Sequence, residues 1–67
     1  MISYQPFFET AKAKGFTTYS LIRKHGIANG TLYRIRKGKP ITTETLNQLC
    51  KVLGCRVEDV LVYVPDV

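Results

Sequence analysis

Between Asn29 and Lys39 the chain reads NGTLYRIRKGK, a stretch that holds a carboxamide, a phenol, two guanidiniums and two ammoniums, and no carboxylate. All of these groups donate hydrogen bonds, and the four cations accept none. An arginine offers two parallel donors that match the acceptors on the edge of guanine, and an asparagine pairs with adenine. Each such pair is worth about 1–3 kcal/mol of discrimination between bases. Arg34 and Asn29 are therefore the leading candidates for reading bases. Tyr33 either touches a thymine methyl or a phosphate, or lays its ring over the basic stems of its own segment. Lys37 and Lys39 suit phosphate oxygens, and Arg36 either joins them or solvates the far side of the segment.

This chemistry requires a polyanion, and the wider charge distribution points the same way. Residues 10 to 43 hold Lys12, Lys14, Arg23, Lys24, Arg34, Arg36, Lys37 and Lys39 without one Asp or Glu, a local charge of +8. The remainder sets Lys51 and Arg56 against Glu9, Glu44, Glu58, Asp59 and Asp66, a local charge of −3. Such segregation gives a one-sided positive field, the footprint of a nucleic-acid binder and less often of a protein at an anionic membrane surface. Lys12, Lys14, Arg23 and Lys24 are weaker candidates for contact than for contributing to that field.

Catalysis and metal binding have little support. His25 has no adjacent Asp, Cys or Ser to form a dyad and reads as a surface or helix-end residue. No paired carboxylates, phosphate-cradling glycine loop or nucleophile motif occurs, so no enzyme, cofactor or small-molecule site is legible. Cys50 and Cys55 would make half a zinc site at best, and read instead as small core residues in a reducing compartment. The absence of a leader pattern or long apolar run predicts a soluble, cytoplasmic protein that does not engage membranes.

The elements that must position these groups follow from periodicity. With 67 residues and 45% hydrophobic residues, one folded domain over 1–67 is expected. Tyr4, Phe7, Phe8 and Ala11 form one helical stripe, with Ser3 as N-cap, Pro6 in the first turn and Gly15 at the end. Thr17 or Thr18 caps a second, short helix whose inner face carries Leu21 and Ile22, and Gly26 supplies its stop.

The Asn29-Gly30 dipeptide is a strong hairpin signal. A strand there would put Leu32 among Arg34 and Arg36, whereas a helix pairs Leu32 with Ile35 and turns Asn29, Tyr33, Arg34 and Lys37 outward. The helix, at about 28–37, wastes no apolar residue, although Ala28 makes a poor cap. Thr42 or Thr43 caps a further helix with Leu46, Leu49, Cys50 and Leu53 on its inner face and Gly54 after it. In the last dozen residues Val57, Val60, Leu61 and Val64 suit a final short helix, while Val60, Val62 and Val64 alternate like a strand; the helix is preferred.

Short helices with a tight turn at Gly26, the second presenting only polar and positive groups, have the layout of a helix-turn-helix at about 17–37. The stretches TTYSLIRKHGIANGTLYRIRKGKPI and TLNQLCKVLGCRVEDVLVYVPD resemble the helix-turn-helix domains of phage Cro proteins and repressors, the XRE type, especially their small bacterial members. The resemblance spans about residues 3 to 66. It rests on the Gly26-Ile27 turn, the core spacing of Thr31, Leu32 and Ile35, the Lys-Gly-Lys at 37 to 39, and the run from Leu53. Ile22 departs from it, standing where the family keeps a small residue.

The resemblance implies an all-α, lambda-repressor-like bundle of about five short helices whose third enters the major groove. It places Asn29, Gly30, Tyr33 and Arg34 against bases, Gly30 leaving one reading position empty, and Thr17, Thr18, Lys37 and Lys39 against phosphates. It implies a double-stranded DNA-binding transcriptional regulator, a repressor by family habit. One such helix reads few base pairs, so two copies are expected, joined through Val57 to Val67. The alternatives are an antitoxin-like protein-interaction module that binds DNA secondarily, and a cationic membrane-surface binder.

Overall fold

Threonine caps at two helix starts and left-handed glycines after the helices divide this chain into elements. The computed structural model describes residues 1–66. The order is β1 (Ile2–Ser3), α1 (Gln5–Ala13), α2 (Thr18–Arg23), α3 (Asn29–Lys37), α4 (Thr43–Leu53), a 3₁₀ turn (Val57–Asp59) and β2 (Val62–Tyr63). The architecture is that of an all-α helix-turn-helix domain, with four α-helices among the described residues where about five were expected. No helix among them is long and apolar enough to cross a membrane.

In α2 the cap is reciprocal. Thr17 Oγ1 accepts from the Ser20 amide at 3.0 Å, and Ser20 Oγ accepts from the Thr17 amide at 2.9 Å. This satisfies two groups that a six-residue helix could otherwise only leave to water. Leu21 is buried, and Ile22 packs half-buried against the core. Gly26 then turns the chain at φ +71°, a conformation that costs a side-chain-bearing residue about 1–2 kcal/mol. The turn delivers Ile27 into the core, where its amide donates to the Leu21 carbonyl at 3.0 Å.

Asn29-Gly30 opens α3, as the burial pattern demands: Thr31, Leu32 and Ile35 are all buried on one side of the helix. Ala28 provides no side-chain cap. At the far end the Lys39 amide donates to the Arg34 carbonyl at 2.8 Å, closing the helix around a left-handed Gly38. In α4, Thr42 is the cap, its Oγ1 accepting from the Thr45 amide at 3.1 Å. Leu49 and Leu53 are buried there, with Leu46 and Cys50 half-buried beside them.

Three expectations are corrected. Tyr4, rather than Ser3, holds the cap position of α1, and it makes no side-chain capping bond. Its ring is required inside, where its hydroxyl donates to the Lys39 carbonyl at 2.7 Å and ties α1 to the end of α3. Phe8 is not core: it is 40% exposed, its ring edge-on to Phe7 at 5.4 Å, because only the Tyr4, Phe7 and Ala11 edge of the stripe faces inward. The final helix is a single 3₁₀ turn followed by a strand, so each of the two sequence readings holds for a few residues only.

Val60 explains that last outcome. Its side chain is fully buried, and its carbonyl accepts the Phe7 amide at 3.1 Å. The Val64 amide, which a helix would direct at that carbonyl, donates instead to the Met1 carbonyl at 2.7 Å. The chain therefore leaves the helical ladder and pairs antiparallel with β1, Ile2 opposite Tyr63 and Ser3 opposite Val62. A bond from Thr10 Oγ1 to the Asp59 carbonyl, 2.8 Å, fastens the 3₁₀ turn to α1.

Candidate nucleic-acid interface

The buried edge of α3 fixes which side chains it offers to solvent. Asn29, Tyr33 and Lys37 recur every four residues and form one exposed row, and Gly30 and Arg34 form the row beside it. Tyr33 is 50% exposed, with Lys37 Nζ 6.0 Å from its ring centroid, a distance at which the ring face attracts the ammonium. Both sequence readings of Tyr33 are thus compatible with its position: the ring flanks a basic stem and the side chain remains open to a ligand. Arg34 runs back over Gly30, where an added Cβ would meet its Nη1 at 3.8 Å.

Arg36 does not share these rows. It lies one turn beyond Leu32 and borders a groove whose rim also carries Lys12, Thr17 and Thr18. The phosphate candidates therefore divide into two groups. Thr17, Thr18 and Arg36 stand together where α2 begins, while Lys37 and Lys39 lie at the end of α3, all exposed. Lys39 is held by its backbone from both sides, through the bonds to Tyr4 and Arg34, with its side chain exposed.

Sequence reasoning missed Tyr19. It is 67% exposed on α2, and the Arg23 guanidinium carbon lies 5.9 Å from its ring centroid. The i, i+4 spacing of an aromatic and a cation on a capped helix was the available signal. The pair repeats on α2 what Tyr33 and Lys37 do on α3.

The field of this surface is uncompensated. The ion pairs among the described residues join the Met1 amine to Asp66 at 3.1 Å and Arg56 to Glu58 at 3.4 Å, both exposed. None of the eight cations between residues 10 and 43 takes part in one. His25 sits at the surface beside the Gly26 turn, its ring edge-on to Phe16 at 5.2 Å.

Cys50, on α4, and Cys55, just past its Gly54 end, are half-buried free thiols, brought together where the Cys55 amide donates to the Cys50 carbonyl at 3.1 Å. Burial pushes the Cys55 thiol up, reinforced by the neighbouring Cys50 and Asp59 and only partly offset by Lys14. That holds it as the protonated, poorly nucleophilic thiol. Among the described residues no three His, Cys, Asp or Glu side chains gather where they could hold a metal ion.

Residues 9–66 match the family model described as the Cro/C1-type HTH DNA-binding domain. The fold is similar to the crystal structure of the transcriptional regulator VanUg, form II, with a TM-score of 0.84 and 18% identity. That likeness covers 97% of this chain and 87% of the other. At this identity it concerns the fold. No curated protein shows a significant match.

Proposed function

This chain belongs to the Cro/C1-type helix-turn-helix DNA-binding domain family, and from that premise we propose that it is a sequence-specific double-stranded DNA-binding transcriptional regulator, a repressor that acts by covering its operator. One observation carries the reading: the exposed side of α3 presents Asn29, Tyr33, Arg34 and Lys37 in two adjacent rows with no carboxylate among them. Arg34 and Asn29 read base edges in the major groove, with Tyr33 beside them. Thr17, Thr18, Arg36, Lys37 and Lys39 hold phosphates, and the exposed Tyr19–Arg23 pair widens that hold. The described role of VanUg as a transcriptional regulator agrees with this reading.

Two copies act together on half-sites about 34 Å apart. The surface that joins them is apolar and exposed: Val57, Val62, Tyr63 and Val64, with Ile2 from the paired strand and Met1 just before it. Val67, the last residue of the segment expected to serve this role, lies outside the described residues. The same apolar surface is what favours the alternative, an antitoxin-like module that holds a different protein.

Selection from a random duplex library at about physiological salt tests the reading, because nonspecific phosphate binding is already weakened there. Enrichment of inverted half-sites, lost in Arg34→Ala, is the expected result. Binding that fades with salt and enriches no sequence counts against it. In vitro transcription from a promoter bearing the selected site then decides the sign, repression being expected.

A further inference from the structure

We propose that the groove bounded by α1, the start of α2 and α3 binds a small amphipathic anion, a carboxylate carried on an aryl or medium-chain apolar body. The groove measures about 370 Å³, within the range of small-molecule sites. Its floor is apolar, built on Leu21 and Leu32 with Phe8 and Phe16 above them. Phe8 belongs by spacing to a core stripe yet is 40% exposed, and Phe16 is only half-buried, so these two rings present apolar surface to water above the buried leucines. Covering such surface is favourable for any apolar body that fits.

The rim decides the charge of the occupant. Lys12 comes from α1 and Arg36 from α3, and both line the groove without an ion-pair partner among the described residues. No carboxylate lines it. An arginine fork beside an ammonium suits a planar carboxylate, which accepts two parallel hydrogen bonds. Thr17 Oγ1 already accepts from the Ser20 amide, which leaves its O–H free to donate, and Thr18 adds a second hydroxyl. A second groove of about 390 Å³, between Tyr4, Ile41 and Leu46, has no charged side chain in its lining and lacks this complementarity.

Duplex DNA by itself does not complete the site. A phosphodiester brings the charge but no apolar body to cover Phe8 and Phe16, and the bases stay stacked inside the duplex. A soluble aryl carboxylate satisfies rim and floor together. One consequence rests on the function proposed above: Arg36, Thr17 and Thr18 also face phosphates there and Lys12 adds to the field, so an occupied groove neutralises part of the DNA surface and weakens duplex binding.

The test uses the full chain without DNA, titrated with 2-naphthoate and followed by ¹H–¹⁵N correlation spectra. Saturable shifts centred on Phe8, Lys12, Phe16, Thr17 and Arg36 are expected, with at least tenfold weaker binding of neutral 2-naphthalenemethanol. Phe8→Ser and, separately, Lys12→Gln should each weaken 2-naphthoate at least fivefold while keeping a dispersed spectrum. Shifts that never saturate, that centre on Tyr4, Ile41 and Leu46, or that are matched by the neutral alcohol overturn the proposal. In a second arm, saturating 2-naphthoate is expected to weaken duplex binding at least threefold at constant ionic strength, and an unchanged affinity overturns the consequence. A chain that binds no duplex at all sinks the functional reading but leaves the titration result standing.

Discussion

Arg34 and Lys37 stand three residues apart on the exposed side of α3, but their loss has different expected consequences. A guanidinium on a guanine edge discriminates between bases, so Arg34→Ala should cost about 1–3 kcal/mol on the preferred duplex and almost nothing on a scrambled one. A lysine placed on phosphate reads no base, so Lys37→Ala should weaken both duplexes alike and lower the slope of log K against log salt by about one. Anisotropy titrations on the two duplexes over a salt series separate the cases, and equal losses in both variants would remove the base-reading role of Arg34. Gly30 permits a cleaner test of the helix itself. An added Cβ meets only Arg34 Nη1 at an ordinary 3.8 Å, so Gly30→Ala should gain about 0.5–1 kcal/mol from propensity. A rise of several degrees in Tm is the expected reading. Donor chemistry made Asn29, Arg34 and Lys37 legible in the sequence. The i, i+4 spacing of Tyr19 and Arg23 offered a pairing signal, but did not show that Tyr19 stands out from the core, 67% exposed.

The capped helix starts allow the same kind of separation at the scale of elements. Thr17 and Thr42 each accept from an amide three residues on, so Thr17→Ala and Thr42→Ala should each cost about 1 kcal/mol of stability. Only Thr17 borders the positive groove beside Arg36, so only Thr17→Ala should also weaken duplex binding under conditions where both variants are folded. Chemical denaturation paired with DNA titration measures both quantities; an equal affinity loss from Thr42→Ala would remove the phosphate role of Thr17. The starts and stops of α2 and α4, and the stop of α3, could be read from sequence because caps are local: a hydroxyl, three residues, a glycine. The end of the chain could not. Its conformation depends on Phe7 taking the Val60 carbonyl and Met1 taking the Val64 amide, partners more than fifty residues away that no local period encodes. Phe8 shows the same limit, since an i, i+3, i+4, i+7 pattern locates a stripe but not its edges.

For the whole molecule, charge and apolar surface set how it meets DNA. Eight cations in one region, without ion pairs among the described residues, fix a ceiling: if each neutralised one phosphate of B-DNA, the salt slope of one copy would reach about 7 in magnitude. A measured slope well above that requires more than one copy on the duplex. On the function proposed here, the exposed ribbon is the surface that recruits a second copy. Tyr63 is 64% exposed on β2 opposite Ile2, so replacing it with a charged residue alters the surface without opening the core. Tyr63→Glu should therefore leave the fold intact, sediment as a monomer both free and on a single half-site, and lose at least tenfold in affinity for paired half-sites. Its salt slope on the paired duplex should fall to about half that of the unmodified chain, because each copy then releases counterions alone. If Tyr63→Glu keeps the full slope and the paired-site affinity, the ribbon is not the surface that joins the copies, and the exposed apolar residues at both ends of the chain serve a different protein.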